Sequence, residues 1–169
     1  LFSLVALNAM ALTAVLAQVA NNPKANDKAV VTCGNARFTV LTPEMIRIEY
    51  SDKAAFEDRA TFTVVNRNLT VPQFTKKEDS QYLYITTSAL ELKYRKGSDP
   101  RTVPASSANL SVVVKNHTGK TTWYPGKPDP LNLKGTCRTL DGLMGEGKRS
   151  EMENGLVSRS GWAVIDDSW

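Results

Sequence analysis

Histidine and cysteine are scarce: the chain has one histidine, His117, and two cysteines, Cys33 and Cys137. That excludes a four-thiolate zinc site, a finger of two cysteines and two histidines, and a two-histidine metalloprotease helix. No metal site and no cofactor is expected. Histidine-dependent nucleophilic catalysis would have to use His117, which stands in a turn-like stretch. A dominant charge is lacking too. There are 21 Lys and Arg against 17 Asp and Glu, a formal +4. That excess is spread along the chain and gives no ground for a nucleic-acid partner. No helical period persists for three turns, and the best helical candidate is a short piece at 53–58. Apolar content is not lacking. At 41% hydrophobic the chain can build a core and is too apolar to be disordered. At 169 residues it is one domain, or one domain plus a tail.

Residues 1–22 carry no charge, and 1–17 are apolar and rich in Leu, Ala and Val. Val15-Leu16-Ala17 before Gln18 has the small-residue pattern of a signal-peptidase site. The run is marginal for a bilayer span, which needs ~20 residues. A basic n-region and an initiator Met are absent, which implies a start inside a longer reading frame. The expectation is therefore an N-terminally incomplete signal peptide at 1–17 and a polar linker at 18–32. The mature protein is then exported, periplasmic or extracellular, without stable membrane insertion. Export permits a Cys33–Cys137 disulfide, but spacing alone leaves two unpaired cysteines equally open. Asn-x-Ser/Thr triplets begin at Asn68, Asn109 and Asn116 and matter only in a glycosylating pathway.

From Ala36 onward the texture is that of short strands. Phe38-Thr39-Val40 leads through Thr42-Pro43 into Ile46-Arg47-Ile48-Glu49-Tyr50. Thr61-Phe62-Thr63-Val64-Val65 and Tyr82-Leu83-Tyr84-Ile85-Thr86 alternate in the same way. Leu90-Glu91-Leu92-Lys93-Tyr94-Arg95 alternates strictly, which predicts Leu90, Leu92 and Tyr94 on one buried face. Leu110 to Val114 and Thr121 to Tyr124 flank Asn116-His117-Thr118-Gly119, a hairpin signal. Repeated short strands between turns predict an all-β fold, an antiparallel β-sandwich or barrel. Beyond Trp123, Pro125 to Pro130 cannot continue a central strand. A long glycine-rich stretch over 135–161 follows, with few apolar anchors. A last strand is expected at Trp162-Ala163-Val164-Ile165, and the end at Trp169 reads as a truncation.

Two later segments carry a resemblance. One runs Asn132-Leu133-Lys134-Gly135-Thr136-Cys137-Arg138-Thr139-Leu140-Asp141-Gly142. The other runs Gly155-Leu156-Val157-Ser158-Arg159-Ser160-Gly161-Trp162-Ala163-Val164-Ile165-Asp166-Asp167-Ser168. Together they resemble the N-terminal region of bacterial glycoside hydrolase family 31 enzymes, the α-glucosidase and α-xylosidase family. The resemblance spans about residues 30 to 169. It implies a galactose-mutarotase-like β-sandwich over 33–169, placed before a (β/α)8 catalytic barrel. Family members are retaining hydrolases that use a nucleophilic Asp and a second acid/base carboxyl. Both lie on the barrel, and the nucleophile motif Trp-x-Asp-Met has no counterpart here. The resemblance thus implies a non-catalytic fragment of an exported α-glycosidase, whose partner is an α-glycoside carbohydrate bound through the missing barrel. A free-standing secreted sandwich that binds carbohydrate or protein without chemistry is the alternative.

The candidate substrate-binding residues are Arg138, Asp141 and Trp162. A carboxylate accepts hydrogen bonds from neighbouring sugar hydroxyls, and Arg donates several from a fixed fork. Arg138 and Asp141 equally suit a local Asp-Gly turn. Trp162 offers an indole face for a sugar ring, although the lead residue of a final strand is more often core. Asn66-Arg67-Asn68 resembles the family's sugar-contacting Asn-Arg-Asp triplet but lacks its Asp, so that role is not carried over. Asp166 and Asp167 are adjacent, so in a strand they point to opposite faces and do not converge on one bond. Trp123 and Tyr124 are read as core.

Overall fold

A computed structural model describes residues 21–102, 106–116, 119–135, 143–144, 148–149 and 152–167. The fold is all-β. Strands β1 (Val30–Cys33), β2 (Ala36–Thr42) and β3 (Met45–Tyr50) form a three-stranded antiparallel sheet in that order. A second sheet is a five-stranded meander of β4 (Thr75–Glu78), β5 (Tyr82–Thr86), β6 (Leu90–Arg95), β7 (Leu110–Asn116) and β8 (Gly119–Trp123). Two short strands, β9 (Leu143–Met144) and β10 (Lys148–Arg149), pair with each other. The helical piece expected at 53–58 is absent; those residues form turns and irregular chain, and the described helical turn is a 3-10 turn at Asp27–Ala29. Among the described residues no helix is long and apolar enough to cross a membrane. The expected signal peptide at 1–17 lies outside the described residues.

Period-two alternation builds the core. Ala36, Phe38 and Val40 of β2 face Leu83, Ile85, Leu90, Leu92, Tyr94, Leu110 and Val112 of the other sheet in one apolar cluster. The Phe38 and Tyr94 rings meet across the layer at 5.1 Å, tilted by 58°. Burying each large aliphatic side chain stabilises by roughly 1.5–3 kcal/mol. In β6, Leu90, Leu92 and Tyr94 are buried while Lys93 and Arg95 are exposed and Glu91 is half-buried. The expected register therefore holds. The Tyr94 hydroxyl escapes an unmade bond by donating to Ser98 O at 2.6 Å, and burial pushes its phenol up to about 12. Thr87 ties the layers together at one end: its hydroxyl donates to Pro43 O at 2.6 Å and accepts from Leu90 N at 2.8 Å.

Five local readings are corrected. Besides the helical piece, Thr61 to Val65 is not a strand. The Thr61 hydroxyl accepts from Val64 N at 3.0 Å, and Thr61 N donates to Val64 O at 3.1 Å. A local side-chain bond thus closes a turn where alternation suggested a ladder, leaving Phe62 fully exposed. Residues 162–165 are not a strand either; Val164 and Ile165 are exposed and the segment is irregular. Conversely, β1 occupies part of the expected linker, with Val31 buried in the core. Strand β4 was missed because Thr75-Lys76-Lys77-Glu78 is exposed throughout; charged edge strands carry no alternation to read.

Strand β2 is buried on both faces. Its outer face carries Arg37, opposite Glu49 in the β2–β3 ladder. Arg37 grips Glu49 with two bonds of 2.7 and 2.9 Å and reaches Asp58 at 2.7 Å. Arg47 donates to the same Glu49 carboxylate at 2.9 Å. The irregular chain between β3 and β4 is thereby pinned over the outer face.

Candidate functional site

Strand β8 ends at Trp123, and Pro125 to Pro130 turn the chain away from the sheet edge. That loop delivers Asp129 to a buried position, 5% exposed. Its carboxylate accepts from Ser160 Oγ at 2.6 Å, Ser158 Oγ at 3.0 Å and Asn132 Nδ2 at 3.1 Å. Burial alone would raise its pKa, but these donors outweigh it and hold the carboxyl below the ordinary value. Asn132 continues the network. Its Oδ1 accepts from Lys134 N and Gly155 N, both at 2.8 Å, and its Nδ2 also donates to Gly155 O at 3.0 Å.

These side chains hold two distant segments side by side. Leu133 N donates to Val157 O, Gly135 N to Glu153 O and Arg159 N to Leu131 O, at 3.0 to 3.1 Å. Asn132 and Ser158 form an antiparallel bridge. The approach is close enough that a Cβ on Gly155 would stand 2.8 Å from Lys134 O. Polar bonds replace apolar anchors here: Leu131, Leu133, Leu156 and Val157 are all exposed. The described parts of the two segments that carry the resemblance are thus neighbours, although more than a dozen residues separate them in the chain.

The pairing shapes one wall of a groove of about 360 Å3 beside β8. Lys120, Lys127, Pro130, Arg159, Ser160 and Trp162 line it. Trp162 is half-buried and rests on Trp123, with ring centroids 6.5 Å apart and planes tilted by 58°. Lys127 Nζ donates to the Thr122 carbonyl. Arg159 is exposed and forms no ion pair with a described residue. Lys120 lies 3.7 Å from Glu91, which Lys115 also reaches at 3.3 Å. Among the described residues the lining offers an indole, two hydroxyls, of Thr121 and Ser160, and three cationic side chains. Its chemistry is stacking combined with charge-assisted donation.

Of the three sequence-designated residues, the structure places Trp162 in this groove. Arg138 and Asp141 lie outside the described residues, as does Cys137, while Cys33 is a half-buried free thiol among the described residues. Burial raises the Cys33 pKa, with Glu78 adding to the rise. Trp123 packs against the core as expected. Arg67, from the triplet set aside above, is 2% exposed and serves as a pin. It donates to Arg59 O at 2.8 Å and to Asp167 at 3.2 Å, tying the end of the described chain to the outer face of the smaller sheet. A smaller cavity of about 200 Å3 lies beside Arg37, Arg47 and Arg67. Each of these arginines is matched by a carboxylate: Glu49 and Asp58, Glu49, and Asp167. Sequence reasoning missed Asp129 and its partners. Their signal was the Ser158-Arg159-Ser160-Gly161 run, a turn sequence whose turn brings both serine hydroxyls to one carboxylate.

No protein-family model matches the chain, and a search of curated proteins returns no match.

Proposed function

We propose that this chain is the accessory N-terminal β-sandwich of an exported retaining α-glycosidase resembling glycoside hydrolase family 31. In this reading the sandwich supports a catalytic barrel, contributes a sugar contact through Trp162 and is inactive alone. One observation carries the reading. The two segments that bear the resemblance, far apart in sequence, meet through Asn132, Gly155 and Ser158 beside a groove that presents Trp162. A shared local architecture accounts for why both segments would be kept together. An indole face suits the apolar face of a pyranose, and cationic donors suit its oxygens. Sequencing the reading frame past Trp169 tests the assignment. A continuing frame that encodes about 250 residues of alternating strands and helices, with a Trp-x-Asp-Met-type motif, is expected. A stop codon directly after Trp169 would refute it in favour of a free-standing binding module.

A further inference from the structure

We infer that the groove beside β8 selects an anionic sugar, one carrying a carboxylate or sulfate group, over a neutral one. The inference rests on the carbohydrate reading of Trp162 and adds the charge of the ligand. Three cationic side chains, Lys120, Lys127 and Arg159, line the groove, and among the described residues no carboxylate does. The nearby acids do not cancel them. Asp129 adjoins the groove through Ser160 and keeps its negative charge, but its oxygens are occupied by Ser158, Ser160 and Asn132, and three cations outnumber it in the lining. Glu91 is shared between Lys115 and Lys120 at 3.3 and 3.7 Å, so one carboxylate faces two ammonium groups. Pairs this exposed are worth little and leave Lys120 available to a ligand. Arg159 projects a planar fork with no ion-pair partner among the described residues, and such a fork matches a carboxylate or sulfate in bidentate fashion. Lys127 keeps further N–H donors besides the one given to Thr122.

The indole decides the rest of the ligand. Trp162 is the aromatic residue of the lining, braced by Trp123 from one side. One face with cations around it suits one pyranose ring with an acidic substituent. A single-stranded nucleic acid calls for successive stacking platforms along a basic track, and among the described residues the groove has one platform. A flexible polyanion would therefore gain only the charge interaction.

Titration of the purified full chain, followed by tryptophan fluorescence and calorimetry, tests this. The probes are tetragalacturonate, a sulfated oligosaccharide of similar length, maltotetraose and an oligothymidylate of matched charge. Saturable binding of at least one acidic sugar is expected, with maltotetraose weaker by about tenfold, the gain that two or three exposed ion pairs supply. Raising salt to about 0.5 M should remove most of that margin. Arg159→Gln and Lys120→Gln are exposed changes that leave the core alone. Together they should weaken the acidic sugar about fivefold to tenfold and maltotetraose by no more than about twofold, since glutamine keeps a neutral donor for sugar hydroxyls. Trp162→Ala should weaken both classes. Which acidic sugar binds separates carboxylate from sulfate recognition. Equal, salt-independent binding of maltotetraose would overturn the inference and leave the carbohydrate reading standing. Oligothymidylate binding as tight as the acidic sugar would overturn it in favour of a general polyanion patch. No response to any probe would overturn both the inference and the sugar role of Trp162.

Discussion

Replacing Gly155 by alanine should unzip the polar pairing that positions the groove. A Cβ at this position meets Lys134 O at 2.8 Å, Lys134 C at 2.9 Å and Gly135 N at 3.0 Å. All three are backbone atoms, so no side chain can swing aside. Gly155 is not among the residues with positive φ, and the cost is therefore steric rather than conformational. Relief requires residues 132–135 to move away from 153–157. That movement strains the bonds from Gly155 N to Asn132 Oδ1 at 2.8 Å and from Asn132 Nδ2 to Gly155 O at 3.0 Å. Overpacking of this kind costs about 1–3 kcal/mol, and each strained neutral hydrogen bond is worth about 1 kcal/mol. A local loss of about 2–3 kcal/mol follows. At tenfold per 1.4 kcal/mol, that is roughly 30- to 150-fold faster opening. Native-state hydrogen exchange at the amides of Leu133, Gly135 and Arg159 reads it directly. The β6 amides should be unaffected, because the sandwich core does not include this pairing. Gly135→Ala, whose Cβ stops 3.1 Å from Gly155 Cα, should show a smaller change of the same sign. Exchange within twofold of wild type at all three amides in Gly155→Ala would refute the close approach.

Acid should loosen the same pairing. The Asp129 carboxyl titrates below its ordinary value because its hydrogen bonds outweigh burial. Its contribution is therefore full above the unfolded value, about 3.9, and is lost as pH falls through the lower folded value; Asp129→Asn should abolish that dependence in the exchange profile. Leu92→Ala should cost about 2–5 kcal/mol in urea unfolding, as expected for a fully buried leucine, whereas Lys93→Ala, exposed on the same strand, should stay within about 0.5 kcal/mol. Arg67→Ala strands Asp167 and the carbonyl of Arg59 without their donor and should destabilise by about 3 kcal/mol, while Arg101→Ala, from an exposed pair with Asp52 and Asp99, should be nearly silent in the same assay.

The strands that face the core were legible because alternation records burial on one side. Phe38, Ile85, Leu92 and Val112 announce their face two residues at a time. Where burial is two-sided or absent, the pattern fails. In β2 the outer face is covered as well, yet it carries Arg37 and Thr39, with Arg37 held by ion pairs to Glu49 and Asp58 and by the ring of Phe56. In β4 nothing is buried, and backbone pairing with β5 and the Glu78 ion pairs to Lys76 and Lys96 hold the strand. At Thr61 to Val65 the alternation was present, but the segment pairs with no described strand and the threonine hydroxyl closes a local turn instead. The site was half legible for a related reason. Trp162 is conspicuous as a residue type. The Asp129 network joins positions up to 31 residues apart through polar bonds that leave no periodic trace, and Gly155 matters only because of what lies across from it.

The central claim is that this sandwich serves a glycosidase and performs no hydrolysis alone. Its most direct test is turnover of an aryl α-glycoside panel, including acidic sugars, by two purified proteins. One is the chain as it stands; the other is the chain joined to whatever its reading frame encodes after Trp169. The account predicts no turnover above the uncatalysed rate for the first and measurable, retaining hydrolysis for the second. Turnover by the chain alone would contradict it, and so would an extended protein that folds yet cleaves none of the panel.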